Sequence, residues 1–143
     1  MLIEVLLMEH KAEALKDRTK QFALRIIRVI RSLPTGPESR IIGHQLLRSG
    51  MSVAANYRAV CRARSRAEFV AKLSIVIEEA DESSFWLELL VDVGLIPAGK
   101  LKDLKSEADQ LVAIFNSSRA TAKKGSQSTI NNQKSTILRG KSA

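Results

Sequence analysis

The segment LPTGPES, residues 33–39, stands between two long runs of helical periodicity. Pro34 and Pro37 have no backbone N–H and cannot continue an i to i−4 ladder, while Pro37 suits the first turn of a new helix. Thr35 and Glu38 have the spacing of a capping box. One helix therefore ends here and another begins within a few residues. Upstream, from Glu9 to Leu33, Leu15, Phe22, Ile26, Val29, Ile30 and Leu33 recur at steps of three and four, with Thr19 filling the gap. Downstream, from Glu38 to Arg64, the stripe is Ile42, Leu46, Val53, Tyr57 and Val60. Gly43 and Gly50 lie on that second helix, where each costs about 1 kcal/mol relative to alanine. Their expected role is to let a neighbouring helix approach closely.

The same punctuation recurs. Ser65-Arg66-Ala67-Glu68 is a second capping box and predicts a break before a third helix. That helix carries Phe69, Leu73, Val76, Ala80, Leu87 and Leu90, and Gly94 is placed to cap its C-terminus. A fourth opens at Pro97 with Leu101, Leu104, Ala108, Leu111 and Phe115 in a heptad-like row. Long helices joined by short connections predict antiparallel neighbours, hence an all-α, up-down-up-down four-helix bundle. The expected organisation is an N-terminal extension over residues 1–9, the bundle over 10–120, and a disordered basic tail over 121–143. The tail is rich in Ser, Thr, Asn, Gln and Lys and offers almost no core-forming side chains.

The chain has 143 residues, 45% hydrophobic but only 4% aromatic, which suits one domain with an aliphatic core. Its net charge of +8 points to an anionic partner. A single cysteine, Cys61, excludes an intramolecular disulfide and makes the cytoplasm the expected location. The opening MLIEVLLMEHK lacks the features of a signal peptide, and no apolar run approaches the roughly 20 residues of a membrane span, so no membrane partner is expected. Charge is divided unevenly. Residues 1–66 hold 13 Lys and Arg against 5 Asp and Glu, residues 67–122 hold 5 against 10, and residues 123–143 hold 5 against none. Acidic helices beside basic ones would pair internally, but the basic excess is larger than the acidic one before the tail is counted.

Residues 48–66, RSGMSVAANYRAVCRARSR, carry arginine at 48, 58, 62, 64 and 66 and no carboxylate. On a helical wheel Arg48, Arg58, Arg62 and Arg66 share an arc of about 80°, while Arg64 points almost the opposite way. Guanidinium forks match phosphate oxygens, so this strip is a candidate phosphate-binding face. Arg18, Arg25, Arg28 and Arg31 on the first helix, and Lys123 and Lys124 in the tail, are candidates of the same kind. A third face of small residues, Ser49, Ser52, Asn56, Ala59 and Ala63, is a candidate contact with another subunit, the alternative being a solvated flank.

Catalytic patterns are weak. The cluster EEADE, with Glu78, Glu79, Asp81 and Glu82, resembles part of a carboxylate metal site, but His10 and His44 have no carboxylate three residues before them. Cys61 has Arg58 and Arg62 nearby but no histidine base close in sequence, and is expected to be a buried small hydrophobe. No Gly-rich phosphate loop occurs, and Tyr57 and Trp86 are too isolated to make a base-stacking platform. No enzyme activity, metal or cofactor is expected, and any nucleic acid would be bound through charge and shape.

The runs FALRIIRVIRSLP, QLLRSGMSVAANYRAVCRARSRAEFVAKL and EEADESSFWLELLVDVGLI resemble the bacterial four-helix bundle family of proteins encoded by intervening sequences of 23S ribosomal RNA genes. The most specific positions are Gln45, Leu46, Arg48, Ser49, Ser52, Val53 and Asn56. The accessory variability determinant protein (Avd) of diversity-generating retroelements looks like a relative with the same fold. The resemblance spans residues 11–115 and implies a homopentameric barrel, in keeping with the small-residue face. It also implies nucleic acid, RNA rather than DNA, as ligand, with a reverse transcriptase or ribosomal RNA as partner. The family often follows the asparagine with an Ala-Glu-Gly-like segment, where this chain has Tyr57-Arg58-Ala59-Val60. Two functions follow as alternatives. One is a non-catalytic nucleic-acid-binding bundle. The other is an interaction scaffold whose arginines pair with Glu78, Glu79 or Glu82 and hold the assembly together.

Overall fold

The computed structural model describes residues 1–140, and among them there are four α-helices and no strand. Helix α1 spans Leu2–Ser32, α2 Pro37–Val60, α3 Arg66–Asp92 and α4 Ala98–Gly140. The boundaries have local causes. Leu33 is extended ahead of Pro34, and Pro37 opens α2. At α3 the Ser65 hydroxyl accepts the Glu68 N–H at 3.1 Å, while the Glu68 carboxylate accepts the Arg64 N–H at 2.8 Å. Gly94 takes φ +81°, which lets Gly94 N–H bond Val91 O and Leu95 N–H bond Leu90 O, both at 3.0 Å. That is a Schellman ending, and it uses the one described residue in the left-handed region.

The four apolar stripes close on one core. Phe22, Ile26, Leu46, Val53, Leu73, Val76, Leu87, Leu90, Leu111 and Phe115 are fully or almost fully shielded from solvent. Thr19 sits among them and is satisfied by donating to Leu15 O at 2.9 Å. Tyr57 joins α2 to α4 through a tilted ring contact with Phe115, centroids 5.2 Å apart. Cross-helix neighbours run in opposite numerical senses. Gly43 faces Ile30 and Leu33 while Gly50 faces Ile26, and Ser84 meets Asp109 while Ser74 meets Arg119. Both helical glycines thus have the close approach expected of them. No described helix is long and apolar enough to cross a membrane.

Three expectations change. Residues 1–9, expected as an extension before the bundle, form the first turns of α1, although residues 1–10 are all exposed. Helix α2 stops at Val60, not Arg64, because the cap on α3 needs Ser65 in extended conformation, and the chain tightens through i to i−3 bonds at Arg62 and Ala63 to reach it. The segment expected as a disordered tail is helical to Gly140, while residues 141–143 lie outside the described residues. Low apolar content does prevent residues 127–140 from packing, since all are exposed. It does not stop a helix already nucleated in the core from adding one hydrogen bond per residue, with no proline to interrupt it.

The two glycines of α2 differ in tolerance. A Cβ at Gly43 would approach the end of the half-buried Leu33 side chain at 3.1 Å, whereas one at Gly50 would collide with fully buried Ile26. In urea denaturation Gly43→Ala is expected to stay within about 1 kcal/mol of wild type, because helix propensity offsets the contact. Gly50→Ala should lose about 1–3 kcal/mol by overpacking.

Candidate nucleic-acid interface

The arginines do not form one strip. Arg48 reaches across to α3, where its Nη1 donates to Glu79 at 3.1 Å and its Nη2 to Glu82, while its Nε meets Gln45 at 3.3 Å. Glu82 also accepts from Trp86 Nε1 at 3.1 Å. Arg18 is similarly engaged with α4, to Glu107 at 2.7 Å and Gln110 at 3.0 Å. Both side chains are paired with carboxylates of the same chain. For Arg48 this is the pairing with acidic α3 residues that the scaffold alternative named.

Helix geometry divides the others between two ends. Arg28 and Arg31 are exposed, and Arg25 half-buried, near the C-terminus of α1, beside the start of α2. Arg58, Arg62, Arg64 and Arg66 lie at the far end of α2, which at 24 residues is about 36 Å long. Arg58 is on its last turn, Arg62 and Arg64 are in the connection, and Arg66 is the first residue of α3. All four are exposed, and none has a side-chain ion pair among the described residues.

At this corner Arg58, Arg62 and Arg64 line a cleft of about 540 Å³ together with Ala55, Ala59, Glu68 and Lys72. Glu68 is the one carboxylate in the lining, and it is already bonded to Lys72 at 2.8 Å. That bond, with the Arg64 N–H, holds its carboxyl below the usual carboxylate range. Three guanidinium groups are left without a counter-charge. The Arg66 guanidinium lies against Gly125 of α4, where a Cβ would collide with it, so α4 brings exposed Lys123 and Lys124 to the same corner. Arg64 and Lys72 were absent from the sequence-derived set. Arg64 is the recoverable omission, since the capping box at Ser65 already implied that it leaves the wheel of α2.

The small-residue face also divides. Ser49 is completely buried, with its hydroxyl 2.9 Å from that of Ser83 on α3 and 3.2 Å from Leu46 O. It belongs to the α2–α3 seam and cannot be a surface contact with another subunit. Ser52 and Asn56 are half-buried and locked to each other, the Asn56 amide donating to Ser52 O at 2.9 Å and to its Oγ at 2.7 Å. Ala59 lines the basic cleft, and Ala63 is half-buried in the connection. Cys61 is exposed, correcting the expectation of a buried small hydrophobe, and burial with the neighbouring Cys61 pushes the Tyr57 hydroxyl pKa upward.

The sequence profile of the 23S rRNA-intervening sequence protein family matches residues 13–117, which contain the whole core and the lining of the basic cleft. The chain belongs to this family. A crystal structure of a protein of unknown function from the S23 ribosomal protein family of Bacteroides thetaiotaomicron VPI-5482 is similar at 33% identity and a TM-score of 0.67. The similarity covers 71% of this chain and 94% of that one. No curated protein matches. Within the intervening-sequence protein family frame, Lys123, Lys124 and the first turns of α1 are additions outside the matched residues.

The Arg48 cluster generates a pH prediction. Its hydrogen bond to Glu82 holds that carboxyl below the ordinary range, against partial burial. The stabilisation is therefore complete above the unfolded carboxyl value of about 4.3 and is lost as pH falls through the lower folded value. Thermal melts across this window should show the loss, worth up to about 1 kcal/mol for so exposed a pair, and Glu82→Gln should flatten that part of the profile.

Proposed function

We propose that the protein is a non-catalytic, cytoplasmic RNA-binding bundle that grips phosphates at the α2–α3 corner. The observation that carries this reading is the set of unpaired guanidinium groups of Arg58, Arg62 and Arg64 in one cleft, flanked by Arg66, Lys123 and Lys124. Carboxylates of α3 and α4 pair with Arg18, Arg48 and Lys72, and among the described residues none pairs with Arg58, Arg62, Arg64 or Arg66. Family membership favours RNA over DNA, the name of the family being tied to ribosomal RNA. Opposed numbering of neighbouring residues supports an antiparallel, up-down-up-down course. The resemblance to the retroelement accessory protein supports a homopentameric barrel, in which five such corners would ring one end and present a multivalent surface to ribosomal RNA or to the template of a reverse transcriptase.

Arginine contact with phosphate makes binding strongly dependent on salt and largely independent of sequence. Fluorescence anisotropy with a labelled single-stranded RNA is expected to give a log–log salt slope of about −4 if the six cations at the corner engage. The triple variant Arg58→Glu, Arg62→Glu, Arg64→Glu should reduce affinity at least about 100-fold and roughly halve the slope. Arg28→Glu with Arg31→Glu should leave both near wild type. Equal losses from the two variants, with unchanged circular dichroism melts, would reject the corner as the site.

A further inference from the structure

The two terminal segments outside the family match have complementary surfaces. Leu2, Ile3, Val5, Leu6, Leu7 and Met8 are each half or more exposed, a contiguous apolar patch unlike the scattered single side chains of ordinary surfaces. The core spacing of α1, Leu15, Thr19, Phe22 and Ile26, continues backward through half-buried Ala12 to exposed Met8 and Val5, so the seam that is filled lower in the bundle runs on into solvent. The acidic side chains there are Glu4 and Glu9, and residues 1–9 include no Lys or Arg. Helix α4 carries the opposite pattern over residues 123–140: Lys123, Lys124, Lys134 and Arg139 with no carboxylate, and Ile130 and Ile137 exposed seven residues apart on one face.

Within one chain these surfaces do not meet. Arg18 contacts Glu107 and Gln110, and a groove is lined by Lys11, Ala14, Leu15 and Arg18 from α1 and by Ala113, Ile114 and Ser117 from α4. Helix α1 toward its start and α4 toward its end thus leave the bundle at the same end, yet residues 1–10 and 127–140 all remain exposed. We propose that the apolar N-terminal turns of α1 are covered by the C-terminal arm of α4 from a second copy of this chain. Ile130 and Ile137 would supply an i, i+7 apolar row laid over α1, while Lys134 and Arg139 would face Glu4 and Glu9. Two arms would repel each other, and two α1 ends would bring like carboxylates together. An anionic lipid surface would attract the arm but be opposed by Glu4 and Glu9.

The test uses two full-length chains in a Cys61→Ser background, one bearing Leu6→Cys and the other Ile137→Cys, mixed in a glutathione redox buffer. A disulfide joining the two different chains is expected to predominate over the two same-chain homodimers. Lys134→Glu with Arg139→Glu should slow its formation about tenfold, and Glu4→Lys with Glu9→Lys in the partner should restore it. Absence of the mixed disulfide, its indifference to charge reversal, or closure only within a chain bearing both cysteines would overturn the proposal. So would co-sedimentation with phosphatidylglycerol vesicles that Leu6→Glu abolishes while the disulfide never forms.

Discussion

The hydrogen bond from Glu68 N–H to the Ser65 hydroxyl, with the return bond from Arg64 N–H to the Glu68 carboxylate, fixes where α2 must end and α3 begin. Ser65 has to be extended to make it, so the chain leaves the helix after Val60 and turns through Cys61–Arg64. Beyond this bend α3 packs on α2, with Ser83 at Ser49 and Glu79 and Glu82 at Arg48. The bend also gathers Arg62 and Arg64 into the turn beside Arg58. Had the helix run on, Arg64 would have projected away from the others and the cleft would not exist.

The fold was legible because its stops are chemically loud. Proline at 34, 37 and 97, the box at Ser65 and the glycine at 94 mark the connections, and the stripes between them became the core with Thr19 included. Gly43 and Gly50 announced a close helix contact because nothing else repays glycine in mid-helix. The site was legible only in part. A wheel treats a helix as if it stood alone, and so counted Arg48 and Arg18 as available when carboxylates on α3 and α4 neutralise them. It likewise placed Ser49 on a surface that α3 covers. Composition read the last residues as unable to form a core, which is correct for 127–140, but composition has little to say about whether a helix already started will continue.

Charge in this protein is thus allocated by position. Glu79, Glu82 and Glu107 pair with Arg48 and Arg18 across helices, while the arginines of the α2–α3 corner and the cations of the α4 arm have no ion pair among the described residues. The corner lies between two packed helices, and the arm continues α4 as a helix.

The most direct test of this account is ultraviolet cross-linking of the protein to RNA followed by mass spectrometry of the linked peptides. The account predicts cross-links concentrated in peptides spanning residues 55–72, with further ones around Lys123 and Lys124. Cross-links concentrated instead around Arg28 and Arg31, at the opposite end of α2, would contradict it.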